Sequence, residues 1–256
     1  MVHGLLAALT AAVLAACQMF SPVDLDPDVV VLSLLLESGE GAALMLASHP
    51  HREWDGVPPE ISASLEGPGW TAEFVDTGSG ERCGDPHGLG PVTCLNASLP
   101  EAAGPGRYRL RGTTSRGSFT GAMTVPATPL MENPADTVRI PSPDTSELFP
   151  IPLHYQVDSA TAALWLDAVV DGGYHLGMGW WELGDTLETD YRGIPYTLSL
   201  RVRAIGPNYA DWFRHTGDEL VLPPWPNFGI EGEGVYGYFD GISAPTPWVH
   251  IVVGER

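Results

Sequence analysis

The feature that most constrains the fold is an alternation of apolar and polar residues that glycine and proline interrupt at short intervals. Between residues 28 and 125 the alternation has a period of two, which is typical of β-strands with one buried face. Residues 61–65 and 70–74 alternate in this way on either side of the turn sequence Gly67-Pro68-Gly69. The 30 glycines and 24 prolines favour many short strands over long helices. We therefore predict a mostly β chain whose residues 28–126 form an immunoglobulin-like β-sandwich.

The second half of the chain is predicted to be another β-rich domain, over residues 151–256. Prolines separated by polar residues precede it and predict a Pro-rich connector over residues 127–150. The clearest alternation in the protein runs from Tyr196 to Ala204 and predicts a strand. One short helix is expected over residues 207–215, because Pro207 suits a first helical turn and the aromatic residues that follow it share one face.

The first residues of the chain have the pattern of an exported lipoprotein. An uncharged run from Gly4 to Ala16 has the length of a secretory apolar segment, and it ends in Leu14-Ala15-Ala16-Cys17, the pattern of a bacterial lipobox. This predicts a signal peptide over residues 1–16, lipid on Cys17 and a lipidated tether over residues 17–27. Gln18 is not the aspartate that favours inner-membrane retention, so the outer membrane is the expected location.

An alternative for the N-terminus is a cytoplasmic protein with an apolar start. The segment Met1-Val2-His3 lacks the lysine or arginine that usually precedes a secretory apolar segment.

The charge composition of the chain indicates how it would contact a membrane. The net charge is -20 and every basic residue is an arginine, so the surface repels nucleic acid and anionic headgroups. The membrane contact is therefore predicted to be the lipid, and no nucleic-acid partner is expected.

Two further cysteines, Cys83 and Cys94, fit an oxidising compartment. Eleven positions separate them in a stretch rich in glycine, proline and histidine, and an exported protein favours a disulfide between them. The chain-entropy model gives about 3 kcal/mol of stabilisation for so short a loop. A metal site formed by the two cysteines and His87 is the alternative, but it requires a fourth ligand, and the sequence pattern does not identify one.

No recognised catalytic, cofactor or metal motif is visible in the sequence. Residues 232–237 match the letters of a dinucleotide fingerprint, but Tyr238 and Phe239 continue them as a strand, and Glu233 would repel a phosphate. We therefore predict a strand over residues 234–239, with Val235 or Tyr236 packed inward. His49 and His51 lie beside Pro50 in a predicted loop, so they are not expected to bind a metal. No cofactor and no catalytic residue are predicted.

The candidate binding surface is an aromatic and acidic stretch that contains Trp180, Trp181, Glu182 and Asp185. Adjacent residues of a strand point to opposite faces, so one of the two tryptophans can be exposed beside carboxylates. Such a side chain stacks on a sugar or contacts a partner protein. The alternative is core or edge packing. A different alternative is a glycoside hydrolase that uses two carboxylates among Glu182, Asp185, Glu188 and Asp190.

The order of these segments, together with a C-terminal motif, resembles a known family. The residues that carry the resemblance are Val23-Asp24-Leu25-Asp26, the run from Pro207 to Phe213, Pro226-Asn227 and the run from Ile230 to Phe239. They are similar to the domain of unknown function 4249 family, bacterial envelope lipoproteins that end in a glycine-rich aromatic segment. The resemblance implies an envelope location, a β-rich fold and an association with TonB-dependent outer-membrane transport. The predicted function is therefore non-enzymatic binding, as an accessory component of such a transport system.

Overall fold

The structure is a computed structural model that describes residues 29–49, 58–77, 92–131, 137–140, 148–150, 155–170, 174–183, 188–190, 196–216 and 227–253. Within these ranges the chain is mostly β with one helix, so the predicted fold class is confirmed. The strands of the first half are β1 Val30–Glu37, β2 Ala42–Ser48, β3 Ser62–Gly67, β4 Trp70–Glu73, β5 Val75–Asp76, β6 Val92–Ser98, β7 Gly106–Thr114, β8 Gly117–Val125, β9 Leu130–Met131, β10 Thr137–Ile140 and β11 Leu148–Pro150.

The remaining elements include the helix α1, Pro207–Thr216, which lies where the sequence predicted a helix. The strands of the second half are β12 Tyr155–Gln156, β13 Ala163–Val170, β14 Tyr174–Glu182, β15 Glu188–Asp190, β16 Tyr196–Ile205, β17 Asn227–Phe228, β18 Ile230–Gly232, β19 Val235–Ile242 and β20 Val249–Val253. Two larger sheets contain most of them. One has five strands in the order β18-β8-β7-β3-β4, and the other has eleven, with β1 and β2 near its centre.

The core of the first half lies between these two sheets. In β1 every second side chain is buried, and the same alternation appears in β2. Leu32 and Leu34 of β1 belong to one apolar cluster with Leu110 of β7 and Phe119 of β8, and all four side chains are at most 1% exposed. The period-two pattern of the sequence therefore marks the buried face correctly. The strand order is consistent with a sandwich, although it does not by itself identify the immunoglobulin topology.

Strand β19 lies parallel to β1 and confirms the prediction made for the glycine-rich segment. All eight residues of β1 have a register partner in β19, from Val30 opposite Val235 to Glu37 opposite Ile242. Val235 is packed inward at 1% exposure. Gly237 has a φ of 115°, and a Cβ at this position would lie 1.9 Å from the carbonyl oxygen of Leu32. The glycine is thus required by both its backbone conformation and the close approach of β1.

The chain beyond β19 connects the two halves of the protein. Residues Ser243 and Thr246 lie along β16, where their hydroxyl oxygens accept hydrogen bonds from the backbone N–H groups of Ala204, at 2.8 Å, and Val202, at 3.0 Å. Strand β20 then pairs antiparallel with β16. One continuous segment therefore pairs first with a strand of residues 28–126 and then with a strand of residues 151–256. The predicted division into two domains remains a prediction.

Residues 127–150, predicted as a connector, contain β9, β10 and β11. Strand β10 pairs parallel with β20 at the end of the large sheet. Prolines on both sides favour an extended backbone, and Val138 and Ile140 are good strand formers. This combination allows a segment of the Pro-rich region to add to a sheet.

Several predicted features concern residues outside the described ranges. These are the signal peptide over 1–16, the tether over 17–27 with Cys17, and the partner cysteine Cys83. Cys94 is described: it lies in β6 opposite Leu46 and is 1% exposed. Among the described residues, no helix is long and apolar enough to cross a membrane.

We predict that Gly237→Ala destabilises the protein by about 3 kcal/mol or more, because a Cβ at this position adds a clash with Leu32 to the strain of a positive φ. Gly39 is the matched control. Its φ is 95° but a Cβ there meets nothing within 4 Å, so Gly39→Ala should cost only about 1 kcal/mol. Urea unfolding followed by circular dichroism measures both values. Equal losses of stability in the two variants would contradict the role given to the contact between β1 and β19.

Candidate functional site

The outer face of β13, β16 and β20 brings together aromatic and charged side chains. The register places Trp165 opposite Arg203, and Asp167 opposite Arg201. On the other side of β16, Ser199 lies opposite His250. Residues directly opposite each other in paired strands lie on the same face. We name this face the Trp–Arg platform, and its members are Trp165, Asp167, Ser199, Arg201, Arg203, Trp248 and His250.

An ion-pair network runs across the Trp–Arg platform. The Nε of Arg201 donates a hydrogen bond of 2.7 Å to Oδ2 of Asp167, and the Nε of Arg203 lies 3.9 Å from the same oxygen. Arg203 also donates from Nη1 to Oε1 of Glu37 at the end of β1. The side chain of Asp167 is 12% exposed and that of Arg203 is 19% exposed. Pairs that are this well shielded interact more strongly than pairs in full contact with solvent.

Aromatic rings lie on both sides of this network. The guanidinium of Arg201 lies 4.6 Å from the ring centroid of Trp248, in cation–π geometry, and Trp248 is 38% exposed. On the opposite side, Trp165 meets the ring of Phe213 edge to face, with centroids 6.3 Å apart. Phe213 belongs to α1. The helix therefore forms one border of the Trp–Arg platform.

Ser199 and His250 form a hydrogen-bonded pair at the exposed end of the platform. The distance from Oγ of Ser199 to Nδ1 of His250 is 2.8 Å. A catalytic triad requires a third group that orients the histidine, together with donors for an oxyanion. Among the described residues, no carboxylate forms an ion pair with His250. The described residues thus show Ser199 and His250 as a cross-strand pair on the polar surface.

The platform has the composition of a recognition surface. Tryptophan and arginine are the residues most enriched at the energetic centres of protein interfaces, and indole rings also stack on sugars. Its two arginines are balanced by Asp167 and Glu37. In a chain of net charge -20, the described charges of this face are thus paired rather than in negative excess.

Helix α1 is held on the same sheet face by polar and aromatic contacts with β19. The carboxyl of Asp240 is 0% exposed, and its Oδ2 accepts a hydrogen bond of 2.7 Å from the backbone N–H of Tyr209 in the first turn of the helix. The Nδ2 of Asn208 donates to the carbonyl of Phe239 at 3.0 Å. Burial raises the pKa of Asp240 to about 7, although the N–H groups of Tyr209, Gly241 and Asn208 oppose this shift.

The structure relates the predicted binding residues to the platform through backbone register. Strand β14 pairs with β13 so that Trp180 lies opposite Trp165, Trp181 opposite Leu164 and Glu182 opposite Ala163. The side chains of Trp180, Trp181 and Glu182 lie outside the described part of the structure, as does all of Asp185. The predicted binding surface therefore remains a prediction. In the described ranges, no group of three or more histidine, cysteine or acidic residues is arranged to bind a metal.

Sequence analysis missed the residues that form the platform itself. Arg201 and Arg203 lie within the alternation from Tyr196 to Ala204 that predicted a strand, but this pattern did not indicate what they would contact. Asp167 lies on another strand, and Trp248 follows a loop far along the sequence. Only the pairing of β16 with β13 and with β20 brings them beside the arginines.

No known protein family matches this sequence, and no curated protein matches it. The resemblance to the domain of unknown function 4249 family therefore remains a prediction.

We predict that Asp167→Ala lowers the free energy of unfolding by about 2 kcal/mol, because it removes the acceptor of Arg201 and leaves two neighbouring arginines to repel each other. Glu66→Ala is the control. Its pair with Arg111, at 3.0 Å, is more exposed, with side-chain exposures of 31% and 59%, so the loss should stay within about 0.5 kcal/mol. Thermal and urea unfolding measure both variants. A loss for Asp167→Ala as small as the control's would show that the network adds little to stability.

Proposed function

We propose that this protein is a lipoprotein of the bacterial outer membrane that acts by binding, as a non-enzymatic accessory component of an envelope transport system. The proposal has two parts, an anchor and a binding surface. The anchor is the lipid on Cys17, and Cys17 becomes the first residue when the signal peptide over residues 1–16 is removed. The tether over residues 17–27 joins Cys17 to the folded part of the chain. The binding surface is the Trp–Arg platform, extended by the strand that contains Trp180.

The anchor is supported by the sequence pattern that ends in Cys17. In an exported protein the pairing of Cys83 with Cys94 belongs to the same proposal, because an oxidising compartment favours disulfides. The burial of Cys94, at 1% exposure, is compatible with this pairing. A single lipid chain holds a protein at a membrane only weakly, whereas a lipoprotein with several acyl chains stays attached.

The single observation that carries the binding function is the placement of Trp248 and Arg201 on one exposed sheet face. Trp248 is 38% exposed, and it is held in place by the guanidinium of Arg201, which Asp167 fixes in turn. A large aromatic side chain held rigid at the surface loses little conformational entropy on binding. It is therefore well suited to be the centre of an interface.

The glycoside hydrolase alternative has no support from a described site. Its candidate carboxylates are Glu182, Asp185, Glu188 and Asp190, whose side chains lie outside the described part of the structure. We include an association with a TonB-dependent receptor in the proposal because the family resemblance implies it, and the resemblance is its only support.

The anchor predicts that Cys17→Ala moves the protein from the membrane pellet to the soluble or uncleaved fraction. The thiol of Cys17 is the only attachment point proposed for the lipid, and the acidic surface gives no electrostatic attraction to anionic headgroups. Fractionation of cells together with metabolic labelling by a clickable fatty acid measures the effect. Cys83→Ala serves as the control and should keep the label. Equal pelleting and labelling of Cys17→Ala and the wild type would refute the anchor.

The binding surface predicts a partner contact at position 248. A photo-cross-linking amino acid placed at Trp248 in cells should give an adduct that mass spectrometry identifies as a subunit of an outer-membrane transporter. The control carries the same amino acid at Thr120, an exposed position on β8 in the five-stranded sheet. Thr120 should not give this adduct. The same products from both positions, or adducts at 248 with abundant envelope proteins alone, would count against the proposed interface.

A further inference from the structure

The carboxyl of Asp240 is enclosed between strand β19 and the start of helix α1. Its Oδ2 is bonded to the N–H of Tyr209, whereas Oδ1 is buried and has no hydrogen-bond partner among the described residues. The backbone of Gly206 closes the site on the helix side, since a Cβ at this position would lie 2.1 Å from Oδ1. Asp240 is thus packed into the contact between helix and sheet, with Gly206 in close approach.

The charged and titratable groups around Asp240 do not neutralise it. Tyr209 and Asp211 face it from α1, and the charge of Asp211 disfavours a second negative charge. Tyr238 lies on the same strand, in contact with Tyr209. From the neighbouring strands come Glu37 of β1 and Arg203 of β16, and these two are bonded to each other. Within the described ranges, Asp240 forms no ion pair.

The contacts that depend on this site reach the Trp–Arg platform. Two residues before Asp240 on β19, the ring of Tyr238 packs against Tyr209, at 4.9 Å between centroids, and against Trp212, at 5.4 Å. One residue after Trp212, Phe213 meets Trp165 on the platform. Docking of α1 therefore joins the buried carboxyl to the border of the proposed binding surface.

We propose that Asp240 makes the docking of helix α1 pH-sensitive, so that the helix and its contact with Trp165 are held more tightly in mild acid than in mild alkali. The role of Asp240 as a regulator of the Trp–Arg platform rests on the proposed function. The pH dependence of helix docking does not rest on it, and it can be measured without a ligand, a membrane or a partner.

The direction of the pH effect on docking follows from the different proton affinity of Asp240 in the docked and open states of α1. Burial raises the pKa of Asp240 to about 7 in the docked state, while an open, hydrated carboxyl has its ordinary value near 3.8. A group whose pKa is raised in the docked state stabilises that state when it is protonated. This contribution is complete below pH 3.8 and is lost as the pH rises through about 7.

Hydrogen exchange of the α1 amides tests the proposal on the full-length wild-type protein. After correction for intrinsic exchange, protection of residues 207–216 should be about 30-fold greater at pH 5.5 than at pH 8.5. The hairpin of β7 and β8 is the internal reference for global stability and should change far less. Wild-type α1 protection that is equal at the two pH values, relative to this hairpin, overturns the proposal.

Two variants assign the effect to Asp240. Asp240→Asn cannot titrate, so its α1 protection should lose the pH dependence. Asp158→Asn is the matched control, because Asp158 also accepts a backbone N–H, from Ala127 at 2.9 Å, but is exposed. It should behave like the wild type. An unchanged pH dependence in Asp240→Asn overturns the proposal. If that variant does not fold, carboxyl NMR of the wild type decides, and the absence of an aspartate that titrates near neutral pH overturns it.

Discussion

The hydrogen-bonded pairing of β1 with β19 is the interaction on which the rest of the structure depends. It joins a strand near the start of the described chain to one near its end, and it places the inward side chains of both strands in a single core. Burial of Leu32, Leu34 and Phe239 at 0% exposure contributes about 1.5 to 3 kcal/mol for each side chain. Closing so long a loop has an entropic cost that the pairing must offset. The pairing tolerates no side chain at Gly237, because the Leu32 carbonyl occupies that space.

The two faces of β19 have different roles, and this explains its composition. Val235 and Phe239 face the apolar core, while Tyr238 and Asp240 face helix α1. The strand is therefore a packed layer between the sandwich and the helix. Asp240 therefore contacts α1 on one side of the strand while the apolar core packs on the other side.

On the Trp–Arg platform both arginines are paired with acidic side chains of the same chain. Arg201 and Arg203 lie on alternate positions of β16 and share Asp167 as a counter-ion from β13. Trp248 lies at the end of the loop that precedes β20, and it packs on Arg201 from the other side of β16. Because these charges are paired within the protein, the partner that we propose for this face would not have to neutralise an exposed arginine.

The sequence by itself determined the class of fold and the local elements. The period-two alternation, the turn residues and Pro207 predicted strands and one helix, because these signals depend only on neighbouring residues. The same reasoning explains why the strand after Gly234 could be predicted despite its resemblance to a nucleotide-binding motif. The tertiary structure alone decided that this strand pairs with β1, that β10 adds to a sheet, and that Asp167 meets Arg201. These contacts join residues distant in sequence, and the pattern of one strand does not specify which partner it will find.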